Sequence, residues 1–257
     1  MAAVRFLHMF TPLERKELRE SLIEAARNDA LLVGAALVGS AATGREDAWS
    51  DIDLALQVSG DAEPSEVADR WTAQFYAQHG AVHHVDLVAD GVLYRVFLLK
   101  SSLQVDVSFW PEGQFRATEP GFKLLFGSPR PATSAGAMDA ANAIGVAWLY
   151  ALHARSAIAR DRTWQAIMML DLLRDQILAL GCLSRGLNPH HGREADRLPS
   201  DLLDALTEAR ARSTEASELA RSNAALLQLL TDEIGLHDTD LARRMATPLI
   251  YLARARR

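Results

Sequence analysis

The stretch LVGSAATGREDAWSDIDLALQV, residues 37–58, decides how this chain folds. Its first letters close a continuous apolar run over residues 31–38, which predicts a buried strand. Its last letters, residues 51–58, alternate carboxylates with apolar side chains and predict a second strand. A sheet is therefore expected on both sides of the Gly-containing segment that joins the two runs.

Gly39 and Ser40 stand at the point where the first predicted strand ends. Glycine has no Cβ, so the backbone at Gly39 can approach a ligand closely. Ser40 stands where a helix or turn would begin, and its hydroxyl and the neighbouring N–H groups can meet a phosphate there. The pair is therefore a candidate nucleotide-binding element; the alternative for Ser40 is a simple helix N-cap.

Asp51 and Asp53 follow Ser40 after a short spacer. Positions i and i+2 of a strand project from the same face, so the two carboxylates should point together. Two carboxylates that lie so close repel each other unless a cation sits between them. Mg²⁺ prefers one or two carboxylates together with phosphate oxygens and water, so this spacing predicts a magnesium site that also holds a triphosphate.

Asp106 is the only charged residue in LQVDVSFW, residues 103–110, which otherwise has the alternation of a core strand. A buried carboxylate without a partner would cost several kcal/mol. If this strand neighbours the one that carries Asp51 and Asp53, three carboxylates converge and could hold two metal ions. Asp106 would then be a metal ligand, a general base for an acceptor hydroxyl, or both; the alternative is a structural salt bridge.

Working outward, the first half of the chain alternates predicted helices and strands, whereas the second half is helical throughout. Helices are predicted at about residues 13–29 and 64–78, and further strands at 82–89 and 92–99, with Asp90-Gly91 as a hairpin turn between these two. Residues 111–136 are rich in Pro and Gly and are expected to be irregular. Helical patterns follow at about 137–160, 163–184, 200–213, 214–234 and 238–255.

The fold class expected from this order is α+β, a small mixed-sheet domain followed by an all-helical bundle domain. We place the boundary near residue 130, which gives domains of residues 1–130 and 131–257. The helical domain is expected to form the other wall of a cleft, where ligands tend to bind.

Polar side chains in the helical half and in one loop are further candidates for phosphate contact. Asp171, Arg174 and Asp175 are the polar exceptions on an apolar helix, and Arg174 could grip a triphosphate or Asp171 an acceptor; an internal ion pair is the alternative. The loop LNPHHGREADRLP offers His191 and Arg193. The same loop also contains His190 and Arg197. Arg45 and Asp47, in the spacer between Ser40 and Asp51, are further candidates that could steer phosphate and support the site. For all four, a solvated or structural role is the alternative.

Composition narrows the class of protein. Residues 1–130 contain 18 acidic and 12 basic side chains, whereas residues 131–257 contain 15 of each. A long nucleic-acid substrate would favour a basic face, so small-molecule or nucleotide chemistry is the better expectation. No apolar run reaches the roughly 20 residues that span a bilayer, and no signal peptide is evident. We expect a cytoplasmic protein without nucleic-acid or membrane partners, either a monomer or a homodimer.

Gly39-Ser40, the spacer, Asp51-Ile52-Asp53-Leu54 and the later Asp106 resemble the DNA polymerase β-like nucleotidyltransferase superfamily. A short catalytic domain followed by a helical bundle is similar to the antibiotic nucleotidyltransferases, which act on aminoglycosides or lincosamides. The motifs cover roughly residues 31–110. The resemblance implies ATP as nucleotide donor, two Mg²⁺ ions on the aspartates, and Ser40 on the terminal phosphates.

Three functions stay open at this stage. The first is Mg²⁺-dependent transfer of a nucleoside monophosphate, AMP from ATP, to a hydroxyl of a small molecule such as an antibiotic. The second is AMP transfer to a protein, as in antitoxins built on a minimal version of this domain. The third is a catalytically idle nucleotide-binding module.

Overall fold

The computed structural model describes residues 10–117, 121–132 and 138–253. Contacts between residues divide the chain into two compact units, Met1–Gly136 and Ala137–Arg257. Each unit has its own hydrophobic core.

The first unit combines three helices with six strands. In chain order these are α1 (Pro12–Asn28), β1 (Leu32–Val38), α2 (Gly39–Thr43), β2 (Ile52–Val58), α3 (Pro64–Gln78), β3 (Ala81–Ala89), β4 (Val92–Leu99), β5 (Gln104–Pro111) and β6 (Phe122–Phe126).

The six strands form one mixed sheet in the order β3-β4-β5-β2-β1-β6. Among the strands of the described ranges, β2 and β5 pair in parallel, and the other four neighbouring pairs are antiparallel. A parallel pair needs a long crossover connection, and here α3, β3 and β4 supply it. The strand that carries Asp53 is therefore a direct neighbour of the strand that carries Asp106.

Local sequence signals explain where several elements begin and turn. Thr11 and Glu14 form a reciprocal capping box at the start of α1, with Pro12 directly after the cap. Asp90 and Gly91 both have positive φ, 51° and 78°, which is what a two-residue hairpin turn between β3 and β4 requires. These elements agree with the sequence predictions, and the α+β fold class is confirmed.

One expectation was wrong. Residues 111–136 were expected to be irregular, but β6 lies within them and pairs antiparallel with β1. The strand is short and lies between Gly121 and Gly127, so its five residues gave no clear period against the surrounding turn residues. It is also an edge strand, two of its five side chains are exposed and the others are half-buried, and short edge strands are typical at the end of a sheet.

The two faces of the sheet differ in chemistry. The side chains of β2 and β5 that include Leu54, Leu56 and Val107 join α1 and α3 in the larger core. Successive side chains of a strand point to opposite faces, so Asp53 and Asp106 lie on the other face. A smaller cluster that includes Ala55 and Trp110 packs on that face. Because α1 and α3 cover the opposite face, Asp53 and Asp106 lie on the face that these two helices do not cover.

The second unit is built from helices α4 (Ala140–Ile158), α5 (Thr163–Leu183), α6 (Ser200–Ala209), α7 (Ala216–His237) and α8 (Thr239–Ala253). Its core is composed of alanine and leucine side chains from all five helices, with the buried Ile144, Ile177, Ile234 and Cys182. Small alanines such as Ala147 and Ala151 along α4 allow its neighbours to approach closely. Within the part of the chain that the structure describes, no helix is long and apolar enough to cross a membrane.

Candidate functional site: a carboxylate cluster on two parallel strands

Three carboxylates converge at the start of β2 and β5. Asp53 and Asp106 are register partners on these parallel strands. Asp51 directly precedes β2. One ligand oxygen from each of the three lies within 4.8 Å of the other two, and all three side chains are half-buried. The sequence expectation that the three would meet is therefore confirmed by the geometry.

Burial shifts the pKa of Asp106. Loss of hydration raises the pKa of Asp106 to about 6, a hydrogen bond from Gln104 lowers it, and the charge of Asp51 raises it. Gln104 lies two residues earlier on the same strand face, and its Nε2 donates to Asp106 Oδ1 at 3.0 Å and to Asp51 Oδ2 at 3.5 Å. The amide therefore bridges two of the carboxylates and offsets part of their repulsion.

Gly39 lies directly against Asp53. Its φ is +64°, in the left-handed region, and a Cβ at this position would overlap Asp53 Oδ2 and lie 3.0 Å from Asp53 Cγ. The residue was expected to give a ligand close access to the backbone. The structure shows a more specific reason for glycine, because any side chain would push the Asp53 carboxylate out of place.

Ser40 follows Gly39 in α2, and its hydroxyl has no role in capping that helix. The N-cap of α2 is Val38, and no side chain caps the helix. Ser40 Oγ is buried and, among the described residues, has no hydrogen-bond partner. A buried hydroxyl without a partner is costly to keep. The N-cap alternative is therefore excluded, and the hydroxyl is available to an oxygen that the chain itself does not provide.

The loop between α2 and β2 is held from two sides. Arg15 of α1 is 4% exposed, and its Nη1 donates to the carbonyl oxygens of Asp47 at 2.7 Å and of Ser50 at 2.9 Å. Its Nε lies 3.3 Å from Glu46, which also pairs with Arg19. Since Ser50 directly precedes Asp51, this buried arginine fixes the point from which the Asp51 side chain projects.

Asp47 stabilises the same loop from within. Its Oδ1 accepts hydrogen bonds from the Trp49 amide at 2.8 Å and from the Ser50 hydroxyl at 3.0 Å. These bonds, that of the Trp49 backbone first, lower the pKa of Asp47. Asp47 therefore acts as a structural residue of the loop.

The other sequence-predicted residues are placed as follows. Arg45 is exposed in the loop after α2, and its Nε donates to Thr43 Oγ1 at 3.2 Å. Arg174, on α5, pairs with Asp171 at 2.7 Å and with Asp175 at 3.1 Å, so the ion-pair alternative is present. His191 and Arg193 are exposed, in and directly after a short 3₁₀ turn, His190–Gly192. Arg174, His191 and Arg193 all belong to the second unit, and their predicted contact with phosphate stays a prediction.

Sequence reasoning missed two residues of this site. Gln104 had a usable signal, because it lies two residues before Asp106 and must share its face of the strand. Arg15 had none, since an arginine near the start of an amphipathic helix is ordinarily on the solvated face. Only the tertiary structure shows that its guanidinium is buried under the loop.

Comparisons with known proteins give a family match within the first unit. Residues 15–118 match the family model described as nucleotidyltransferase domain. The solved structure of an aminoglycoside 6-adenyltransferase from Bacillus subtilis aligns with 96% of this chain and 99% of its own, at 12% identity and a TM-score of 0.41. No curated protein matches the chain in sequence. The matched residues lie within the first unit and contain all three aspartates, so this part of the chain is similar to nucleotidyltransferase domains.

Proposed function

We propose that this chain transfers a nucleoside monophosphate, AMP from ATP, to a hydroxyl group of a small molecule. The observation that carries the proposal is the meeting of Asp51, Asp53 and Asp106 next to Gly39 and the unpartnered hydroxyl of Ser40. Nucleotide transfer needs carboxylates that can hold metal ions and, beside them, a group that can donate a hydrogen bond to a phosphate oxygen.

The donor set suits divalent cations. Three carboxylates whose ligand oxygens lie within 4.8 Å of one another repel at neutral pH, and the charge of Asp51 adds to the larger effect of burial in raising the pKa of Asp106. Hard oxygen ligands of this type favour Mg²⁺. Asp51, Asp53 and Asp106 would hold two such ions, which when bound polarise the phosphate and activate the attacking hydroxyl.

The chain's own residues then have separate tasks. Ser40 donates its hydroxyl hydrogen to an oxygen of the triphosphate, and Gly39 keeps the Asp53 carboxylate and the backbone close together. Arg45 adds a positive charge at the rim of the loop.

Asp106 has two roles open to it. As a ligand it completes the cation site; as a base it accepts the proton of the acceptor hydroxyl, for which a pKa near 6 is suitable at neutral pH. The acceptor itself is proposed as a small hydroxylated molecule, with antibiotics as the first class to test because of the motif resemblance. The acidic first unit, with 18 acidic and 12 basic residues up to position 130, disfavours a nucleic-acid acceptor.

The experiment is a pyrophosphate-release screen with each of the four nucleoside triphosphates, Mg²⁺ or EDTA, and a panel of aminoglycosides, lincosamides and other hydroxylated metabolites. We expect release with ATP and Mg²⁺ in the presence of an acceptor, and none with EDTA. Mass spectrometry of the acceptor should show the added nucleotide. Label transferred to a protein in lysate, with no small-molecule product, would favour the protein-directed alternative.

Two variants separate the site from the fold. Asp53→Asn should abolish release while the protein stays folded, because the change removes a charge from a repelling cluster. Asp61→Asn changes an exposed carboxylate of the same unit outside the cluster and should keep full activity. If Asp53→Asn releases pyrophosphate as fast as the wild type, the carboxylate cluster is not the catalytic centre.

A further inference from the structure

A cavity lies within the helical unit, and none of the three aspartates lines it. Its volume is about 270 Å³, and it is enclosed by α5, by the loop between α6 and α7, and by α7. Leu170, Ser222 and Leu226, which are at most 4% exposed, form its buried lining. The rest of the lining is mostly polar and includes the carboxylate residue Asp171, so the cavity combines a small apolar floor with polar walls.

The lining includes the hydroxyl of Ser222. The residue is 1% exposed, yet its Oγ has no hydrogen-bond partner among the residues that the structure describes. Serine within a helix commonly returns its hydroxyl to the carbonyl four residues earlier, as Thr231 of the same helix does. Ser222 does not, so a buried polar group that lines the cavity is left for another molecule.

Three arginines line the same cavity, and they are not equivalent. Arg174 already pairs with Asp171 and Asp175, and Arg212 pairs with Glu208. The guanidinium of Arg210 has no hydrogen bond or ion pair with any residue in ranges 10–117, 121–132 and 138–253. Arg210, an exposed residue of the lining, is therefore the one of the three whose side chain is still open to an anion, and it lies beside the buried Leu170 and Leu226 in the same lining.

We propose that this cavity binds a small organic anion, with its charged group at Arg210 and a short apolar body against Leu170 and Leu226, within reach of the Ser222 hydroxyl. Arginine suits carboxylate and phosphate equally, since its fork can donate two parallel hydrogen bonds to either. The volume is near the lower end of ligand pockets, roughly 300–1,000 Å³, so the ligand is small. The anion is either a phosphate group, as on a nucleotide, or the carboxylate of an organic acid.

The direct test is a binding titration of the full chain, with EDTA present so that no metal-dependent chemistry contributes. The probes are phenyl phosphate, phenylacetate, ATP and the neutral benzyl alcohol. Binding is followed by the NMR shifts of the backbone amides of Ala211, Ser213 and Leu226, all of which line the cavity. We expect saturable shifts at these amides, with benzyl alcohol roughly tenfold weaker because it lacks the charge-assisted hydrogen bond.

The probes also distinguish the two sources of the anion. If phenyl phosphate and ATP bind and phenylacetate does not, the natural anion is a phosphate group. If phenylacetate binds, the natural anion is the carboxylate of an organic acid. The absence of saturable shifts at these amides with every anionic probe at 20 mM overturns the proposal.

Matched variants complete the test. Arg210→Gln removes the open guanidinium from an exposed position and should weaken binding about tenfold without unfolding the unit. Arg243→Gln alters another exposed arginine of this unit, on α8 and outside the cavity, and should leave affinity unchanged. Equal affinity in Arg210→Gln and wild type overturns the proposal. The inference does not rest on nucleotide transfer, because binding is read without metal or turnover.

Discussion

Asp53 and Asp106 lie side by side as register partners on β2 and β5, which pair in parallel within the sheet. Both strands are interior strands of the six, so neither carboxylate can move away by fraying of an edge. Asp51 adds a third charge within 4.8 Å. The fold thus forces like charges together, and a bound cation would offset the free energy that this costs.

The first prediction concerns Asp106→Asn and the stability of the metal-free protein. The pKa of Asp106 is raised from 3.8 to about 6, so the folded chain binds this proton more tightly than the unfolded chain between those values. The free energy of unfolding therefore falls as pH rises through this window and stays lower above it. In EDTA at pH 7.5 the variant should be more stable by about 1–2 kcal/mol, with part of the shift discounted for solvent screening.

Urea unfolding at pH 4 and pH 7.5 measures this difference. The gain should vanish at pH 4, where Asp106 is protonated in most folded molecules. With saturating Mg²⁺ the order should reverse, because ligand binding stabilises only the chain that keeps the site. Asp61→Asn is the control and should follow the wild type at both pH values. A variant that is less stable than wild type in EDTA at pH 7.5 would contradict the prediction.

The second prediction compares Gly39→Ala with Gly44→Ala. Both glycines have φ near +65°, so both substitutions cost about 1 kcal/mol of backbone strain. A Cβ at Gly44 meets open space, whereas one at Gly39 overlaps the Asp53 carboxylate. Gly39→Ala should therefore lose Mg²⁺ affinity and turnover, whereas Gly44→Ala should lose only stability. Calorimetric titration measures the Mg²⁺ affinity of both variants. Equal affinity in the two would show that Gly39 is not needed to keep the Asp53 carboxylate in place.

Much of this site could be predicted from the sequence because its determinants are local. The spacing of Asp51 and Asp53 places both at the same end of one strand, and Asp106 stands out as a charge in an apolar alternation. The hairpin at Asp90-Gly91 gives the neighbouring strands their register. The three aspartates meet only if β2 pairs with β5. The sequence alone did not establish this pairing, and the structure shows it.

The features that sequence reasoning missed depend on tertiary contacts. Strand β6 has only five residues, and its pairing partner β1 lies more than 80 positions earlier in the chain. Arg15 is buried because the loop that it holds comes back over α1, which no helical period can reveal. The pairing of a short edge strand and the burial of a charged side chain are both decided by distant segments.

The third prediction concerns Arg15→Met. The change leaves the carbonyls of Asp47 and Ser50 without their donor and Glu46 without one of its partners, so we expect a loss of about 2–4 kcal/mol in stability. Because Ser50 precedes Asp51, Mg²⁺ affinity should also fall, by roughly tenfold, for a misplaced ligand. Urea unfolding and Mg²⁺ titration at a temperature where the protein is fully folded measure the two effects separately.

Arg95→Met is the matched control for Arg15→Met. Arg95 is also buried, at 6% exposure, and pairs with Asp86 and Asp69 between β3, β4 and α3, away from the loop. Its loss should destabilise the unit to a similar extent without changing Mg²⁺ affinity. If both variants lose affinity equally, Arg15 acts through general stability and does not position Asp51.

The last prediction is that Ser40→Ala separates stability from nucleotide use. Ser40 Oγ is buried without a partner among the described residues, so its removal breaks no hydrogen bond and should leave the free energy of unfolding unchanged or raise it by up to about 1 kcal/mol. Ser108→Ala is the contrast, because Ser108 Oγ accepts from Trp110 Nε1 at 2.9 Å and its loss should destabilise the protein. If Ser40 donates to the triphosphate, kcat/KM for ATP in Ser40→Ala should fall roughly tenfold or more, the effect of removing one preorganised donor. Steady-state kinetics and urea unfolding on the same preparations test both halves. A stable Ser40→Ala protein with unchanged kcat/KM would show that the orphaned hydroxyl serves something other than the nucleotide.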